Sequence, residues 1–475
     1  MTHTEFRDGS ATGIDTVVGL LLSGVDADRV LTTTAILDAY SHDAWPVSVI
    51  DAQLGRHEHR PEIVVMATSP ADVTFTLGIA RQTGTPVTPR GLGSSVTGQA
   101  LPTQGGIVLD LTGLTGPPQL NEVDHLVTVP AGVRGSDLES WLAERGFTTN
   151  FMPQSLMRSS VGGWIATRAT GQLSSKYGGI ESAVVSYEVT LSDGLTMTVG
   201  QKPRAAVGPD LRQLFLGSEG MFGVVTAVAL KVYPVAPAAS SEAWILPSVE
   251  SGVDALRAIY QAGIRPTLMR FYDQAETAHA VPALRTDGCA LFLTHDGIAE
   301  IASAEHAASS AIVESFGGSS IGADPVRAWY SRRFDFSAVE RLLDEPGGFA
   351  ETIEVAHLWS GIIPLYRNLV AALEPYADEV LGHFSHVYTQ GTSLYVIVLG
   401  KVATNEEAAE RLRDIWRVAM ETTTAAGGEL SHHHGAGLAR QQFIPRNLGA
   451  QHQLIRRLKD ALDPEGVLNP GHLGL

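Results

Sequence analysis

At 475 residues, 44% of them apolar and 18% charged, the chain is too long for one compact core and is expected to be a soluble globular enzyme of two or more domains. Its 33 basic against 51 acidic residues leave a net charge of −18 with no basic block, which argues against nucleic-acid and anionic-membrane partners and favours small-molecule ligands. A single cysteine, Cys289, excludes a disulfide framework and a thiolate metal cluster; no signal-peptide pattern and no run of about 18 apolar residues is found, so a cytoplasmic protein without a transmembrane segment is expected.

Along the chain, Val17, Val18, Leu21, Leu22, Val30, Ile36 and Leu37 recur at helical intervals without strand alternation, predicting an N-terminal helical segment over 10–45. Ile63 to Met66 reads as a short buried strand, and Ser69-Pro70-Ala71-Asp72 opens a helix that Gly84 ends. A glycine-rich turn over 89–98 leads to a strand over 106–111. Strands at 126–129 and 184–191 flank a helix opened by the capping box Ser136-Asp137-Leu138-Glu139 and closed by Gly146. Asp193-Gly194 signals a hairpin, and 224–232 alternates as a further strand. The proline-, alanine- and serine-rich stretch 234–241 reads as a linker. Beyond it, strands near Arg270, at 289–294 and at 394–399 alternate with helices, suggesting a second α+β domain, and a helix over 449–462 precedes the tail.

Three stretches carry ligand chemistry. Gly91-Leu92-Gly93-Ser94-Ser95-Val96-Thr97-Gly98 lacks the spacing of a Rossmann loop, and Gln99 stands where a Walker loop has lysine. What it offers is a run of backbone N–H groups and hydroxyls with no Cβ at the closest points, a nest suited to pyrophosphate. Pro153 to Trp164 and Gly217 to Val225 are likewise too rich in glycine and serine for packed elements. In this order, with Thr167-Arg168-Ala169-Thr170-Gly171 between them, they resemble the FAD-binding domain of the vanillyl-alcohol oxidase superfamily, the PCMH-type fold.

Within that superfamily, Gly208-Pro209-Asp210-Leu211, Arg270-Phe271-Tyr272-Asp273, Glu354 with Trp359, Ser385 to Gly391 and Ser431-His432-His433-His434-Gly435 are similar to alkylglycerone-phosphate synthase (alkyldihydroxyacetonephosphate synthase)-like flavoproteins. The resemblance implies an α+β architecture: a helical segment over 1–56, a PCMH-type FAD-binding domain of two α+β subdomains over 57–236, an antiparallel-sheet cap over 237–435, and a segment over 436–475 returning to the FAD domain. It implies FAD lined by Pro89, Arg90, Gly91, Leu92, Gly93, Ser94, Ser95 and Gly98; by Gln154, Ser155, Ser159, Ser160, Gly162, Gly163, Thr167, Arg168 and Thr170; and by Glu219, Gly220, Gly223, Val224 and Val225. It makes Tyr388, His432, His433 and His434 catalytic and puts Arg270, Phe151 and His386 on the substrate side. Phe151 stands where the synthase has an active-site histidine, and Gly361 where the animal enzyme has a substrate-binding arginine, which weakens the case for a phosphorylated substrate. The glycine loop also lacks the histidine of covalently flavinylated relatives, so non-covalent FAD is expected.

Three adjacent imidazoles suggest either a metal site or proton transfer. Were 432–434 extended, His432 and His434 would share a face and His433 would point away. The metal-dependent 2-hydroxyacid dehydrogenases of the superfamily have Glu-His-Gly where His433-His434-Gly435 stands and a sheet histidine where this chain places Tyr395, so no metal is expected. In an extended run His386 and Tyr388 would share a face as an acid–base pair. Two chemistries stay open: oxidation at a carbon bearing oxygen or nitrogen, with the heteroatom proton taken by His434 or Tyr388 and hydride passing to flavin N5, toward which the reading leans; and a non-redox transfer at N5 that forms an ether from an acylated ketone and a long-chain alcohol. A homodimer is carried as an open expectation.

Overall fold

The computed structural model describes residues 13–200 and 203–475, so the first part of the expected N-terminal helical stretch lies outside the described residues. Helices Ile14–Leu21 and Thr34–Ala39 bear out its helical periodicity, and a further helix, Pro46–Gln53, follows. Between them β1 (Val30–Leu31) departs from it, pairing antiparallel with β2 (Ile63–Met66); two residues are too few to show a period. Strands β3 (Val87–Arg90) and β4 (Ile107–Asp110) complete a sheet ordered β1-β2-β4-β3, with β2 and β3 parallel to β4. The helix Pro70–Thr83 packs against it, opened by a Ser69/Asp72 capping box and closed by Gly84 at φ 69°.

A second, antiparallel sheet orders β5-β6-β10-β8-β9, from β5 (Gln119–Asn121), β6 (Leu126–Pro130), β8 (Val184–Thr190), β9 (Thr196–Gly200) and β10 (Val224–Lys231), while β7 (Phe147–Thr148) pairs with β11 (Tyr233–Pro234). The Asp193-Gly194 hairpin joins β8 to β9. The expected capping box at Ser136 does not form. The helix Gly135–Ala143 starts two residues earlier than that cap requires, with Arg134 as its N-cap, and the Glu139 carboxylate instead accepts from the Thr149 amide and the Thr148 hydroxyl. The end of Pro153–Trp164, expected to be too rich in glycine and serine for a packed element, instead opens the helix Val161–Thr167, because Gly162 lets it approach Ala131: a Cβ there would sit 2.8 Å from the Ala131 Cβ.

Residues read as a linker begin the third sheet instead. β12 (Ala238–Leu246) pairs along its whole length with β14 (Cys289–Gly297), and burial of one face outweighs the loop-like composition. With β13 (Leu268–Tyr272), β15 (Ser319–Gly322), β16 (Gly348–Leu358), β17 (Glu379–Val387) and β18 (Gly391–Lys401) it forms a seven-stranded antiparallel sheet ordered β15-β12-β14-β13-β17-β18-β16. Helices Val249–Gln261, Trp359–Leu373 and Asn405–Ala425 cover one face, sealing a core that includes Phe271, Ile353, Phe384, Val396 and Trp416. After it the chain returns to the first sheet, where Val87 donates to Val467 and Asn469 donates to Val87. Among the described residues no helix is long and apolar enough to cross a membrane.

Candidate active site

The three glycine- and serine-rich stretches meet, together with the segment Thr167–Gly171. A Cβ on Gly91 would lie 2.3 Å from the Ser160 Oγ, Gly220 packs on Pro89, and the Glu219 and Gly217 amides donate to Ala166 and Ile165 of the helix that Arg168 ends at φ 52°. Among the described residues the amides of Leu92, Gly93 and Ser94 have no hydrogen-bond partner, and the loop is partly exposed; with no Cβ at Gly91 and Gly93, that is the open cradle a pyrophosphate requires. These residues fit FAD. The expected cofactor residues divide by accessibility. Gly91 to Ser95, Gln154, Ser155, Gly163, Thr167 and Arg168 keep exposed surface, whereas Arg90, Gly98, Ser159, Ser160, Gly162, Thr170, Glu219, Gly220, Gly223, Val224 and Val225 are buried behind them. The Arg90 guanidinium donates to the carbonyls of Tyr40, His42 and Ala100 and holds the loop from beneath. The Glu219 carboxylate is taken up by Gln99 Nε2 and the amides of Ala436 and Gly437, tying the loop to the C-terminal segment.

The histidine run is not extended, which corrects the alternating geometry expected for it. It wraps around the fully buried carboxylate of Glu354 on β16, which accepts from the amides of His432 (2.5 Å), His433 (3.2 Å) and His434 (2.9 Å) and from Ser431 Oγ (2.7 Å). Arg440, also fully buried, donates to Glu354 Oε1 (3.1 Å) and to the carbonyls of Glu354, Leu430 and Gly435. Burial by itself raises a carboxyl pKa, but Arg440 and the facing histidines hold Glu354 below its ordinary value, so it is an anion.

Around this anion all three imidazoles converge. Tyr388 Oη lies 2.7 Å from His432 Nε2, His432 Nδ1 lies 2.7 Å from His433 Nδ1, and Tyr395 Oη lies 2.5 Å from His433 Nε2 and 3.3 Å from His434 Nε2. Burial, partly offset by Glu354, pushes His432 and His434 down to about 4, and burial with neighbouring imidazoles pushes His433 and His386 well below the usual value. Tyr388 and Tyr395 are pushed up by burial. At neutral pH the cluster is therefore uncharged imidazole and phenol.

His386 leaves the strand ladder at a bulge with φ 55°, so the simple alternation expected with Tyr388 is broken, yet both rings still meet His432. His386 is a supporting residue: it is 6% exposed, stacked under His432, and its Nδ1 lies 2.7 Å from Ser174 Oγ of the FAD-binding half. Phe151, expected on the substrate side, is 1% exposed and packs on Trp164. Arg270 does reach the site. Its Nε donates to Tyr272 Oη (2.8 Å), Nη2 faces His383 Nδ1 (3.4 Å), and Nη1 has no hydrogen-bond partner among the described residues. His383 stacks on Tyr395 at 4.5 Å, its Nε2 buried and unpartnered, which joins the Arg270 side of the site to the histidines.

Tyr395, Glu354, Arg440 and Ser174 were not expected in these roles. Leu394-Tyr395-Val396 reads as an ordinary core strand, but a carboxylate between Ile353 and Val355 is a signal, since an isolated charge in an apolar strand needs buried partners. His386, His432 and His433 offer nitrogens within 4.8 Å of one another, close enough to share an ion. The Nδ1 atoms of His432 and His433 are, however, spent on each other, and an ion would have to break that bond.

Residues 61–200 match the FAD binding domain model, and residues 236–473 match the model of the FAD linked oxidases' C-terminal domain. The chain is 29% identical to the uncharacterised FAD-linked oxidoreductase YgcU of Escherichia coli (strain K12), over 96% of this chain and 97% of that protein. It is 28% identical to a probable mitochondrial D-lactate dehydrogenase of Danio rerio, covering 89% of this chain and 87% of the other. A solved alkyldihydroxyacetonephosphate synthase superposes with a TM-score of 0.81 at 21% identity, over 99% of this chain and 88% of the synthase. The fold expected from the sequence, a PCMH-type FAD-binding domain with an antiparallel-sheet cap, is the one found. On these matches and on the cradle that precedes them, the chain belongs to the FAD-linked oxidase family and is an FAD-dependent flavoenzyme.

Proposed function

We propose that this flavoenzyme oxidises a small organic substrate at a carbon bearing oxygen or nitrogen, using FAD that is not covalently attached. FAD, when bound, supplies the hydride acceptor. The chain's own residues bind the substrate and take its proton. The observation that carries this reading is the open edge of the Arg270 guanidinium beside a cluster of uncharged imidazoles and phenols. A guanidinium edge suits a carboxylate or another anion, and a neutral imidazole can accept a heteroatom proton. A relative named as a probable D-lactate dehydrogenase supports an acidic substrate. Non-covalent FAD is supported by the residues of the glycine loop, Arg90 to Gly98, which include neither histidine nor cysteine.

The Tyr388–His432 contact favours a second reading, the non-redox formation of an ether from an acylated ketone and a long-chain alcohol. Anaerobic mixing of the holoenzyme with a panel of 2-hydroxy acids and amino acids separates the two. Lasting bleaching of the oxidised flavin by one of them supports oxidation. No bleaching by any, together with transfer of a labelled alcohol onto an acylated ketone, supports the second reading.

A further inference from the structure

The contacts within the cluster form one unbranched line: Tyr388 Oη to His432 Nε2, His432 Nδ1 to His433 Nδ1, His433 Nε2 to Tyr395 Oη, and Tyr395 Oη to His434 Nε2. Both inner imidazoles use both ring nitrogens. A neutral imidazole carries one N–H and one bare nitrogen, and a phenol has one hydrogen to donate. Two arrangements use every hydrogen of the line within it: in one, all point from Tyr388 toward His434; in the other, all point back. The remaining way to pair every contact, with the Tyr395 oxygen accepting from both His433 and His434, strands the buried Tyr395 hydroxyl hydrogen.

We propose that Tyr388, His432, His433, Tyr395 and His434 form a proton relay, with Tyr395 as its hinge and the pair His434–Glu354 as its terminus. Starting with the hydrogens pointing toward His434, the Tyr388 oxygen takes the O–H or N–H proton of the substrate as its own hydrogen passes to His432 Nε2. The Nδ1 hydrogen of His432 moves to His433 Nδ1, the Nε2 hydrogen of His433 moves to the Tyr395 oxygen, and the Tyr395 hydrogen moves to His434 Nε2. One O–H or N–H bond of the substrate breaks and one N–H bond forms, at His434, which becomes an imidazolium. No electrons are transferred along the line. Burial disfavours that charge, and Glu354 offsets part of the cost. His434 Nδ1 is buried with no hydrogen-bond partner and lies 3.9 Å from Glu354 Oε1, so the positive ring faces an anion already in place. Run backward, the same line returns a proton to Tyr388.

Tyr395 pairs with His433 and His434 and, among the described residues, shares no hydrogen bond or ring contact with His432 or Tyr388, although His386 packs on both Tyr395 and His432; coupling between the ends that moves ring protons is therefore the distinguishing property. The test is long-range 1H–15N NMR of the FAD-loaded protein labelled on its 16 histidines, comparing wild type with Tyr395→Phe, Tyr388→Phe and, as a packing control, Tyr272→Phe. The relay requires Tyr395→Phe to shift the His432 ring nitrogens between their bare and protonated ranges. It equally requires Tyr388→Phe, at the half-buried end, to shift those of His434, and Tyr272→Phe to leave both unchanged. The proposal is overturned if Tyr388→Phe leaves His434 unmoved, or if a folded Tyr395→Phe leaves His432 unmoved. Because the proposal rests on the reading that a substrate proton leaves through this cluster, the readout needs no substrate. Lost flavin bleaching with intact coupling sinks that reading alone, and intact bleaching with lost coupling sinks the relay alone.

Discussion

Replacing Glu354 with glutamine keeps the side chain's shape but removes its charge and one acceptor oxygen. Whichever way the new amide turns, its NH2 faces donors: the amides of His432 and His433 in one orientation, the His434 amide and Arg440 in the other. At least two buried N–H groups then lose their acceptor, at ~1–3 kcal/mol each. Arg440 also loses its counter-charge, and breaking a buried ion pair costs ~3–5 kcal/mol. These losses share atoms and do not add, so ~3–5 kcal/mol is the expected total. At ~2–4 °C per kcal/mol for a domain of this size, Tm should fall by roughly 6–20 °C. Thermal unfolding of the FAD-saturated protein, followed by circular dichroism and by flavin release, measures it. A fall of less than about 2 °C would refute the reasoning that this carboxylate organises the histidine turn.

Stability should also depend on acid. Because His432 and His434 sit near 4 when folded against an ordinary 6.5, the unfolded chain binds more protons between those values. Their contribution is full above about pH 6.5 and is lost as the pH falls toward 4, by up to ~3 kcal/mol per ring and less for two coupled rings. Tm measured from pH 7.5 to 5 should fall more steeply in wild type than in His434→Gln; equal slopes would count against it. At the glycine loop, Gly93→Ala places a Cβ 2.4 Å from Arg90 Nη2 at φ 65°, so FAD affinity should drop at least ~10-fold, worth ~1.4 kcal/mol. Titrating apoprotein with FAD by flavin fluorescence checks this, and an unchanged affinity would mean the loop does not hold the cofactor.

Local signals read well where a few neighbouring residues decide the conformation. The Ser69 cap, Gly84, the Asp193-Gly194 hairpin and the alternation of 224–231 all appear as expected, because each is settled within a turn or a strand. They failed where a distant partner overruled composition. β1 exists because β2 offers it an edge, Ala238–Ser241 is strand because β14 lies beside it, and Glu139 abandons its cap for Thr148 and Thr149.

For the site, the sequence by itself determined which residue types were available and their order: a glycine-rich loop for a pyrophosphate, an arginine in a sheet, and three imidazoles in a row. Their family resemblance rests on that order. What the imidazoles do together was decided only by tertiary structure. Glu354, about 80 residues upstream, draws their amides around one buried charge, and Tyr395 bridges His433 and His434 from a neighbouring strand. The physical reason is that a buried anion must collect its donors wherever the fold supplies them, and those donors, more than strand alternation, set where His432, His433 and His434 point.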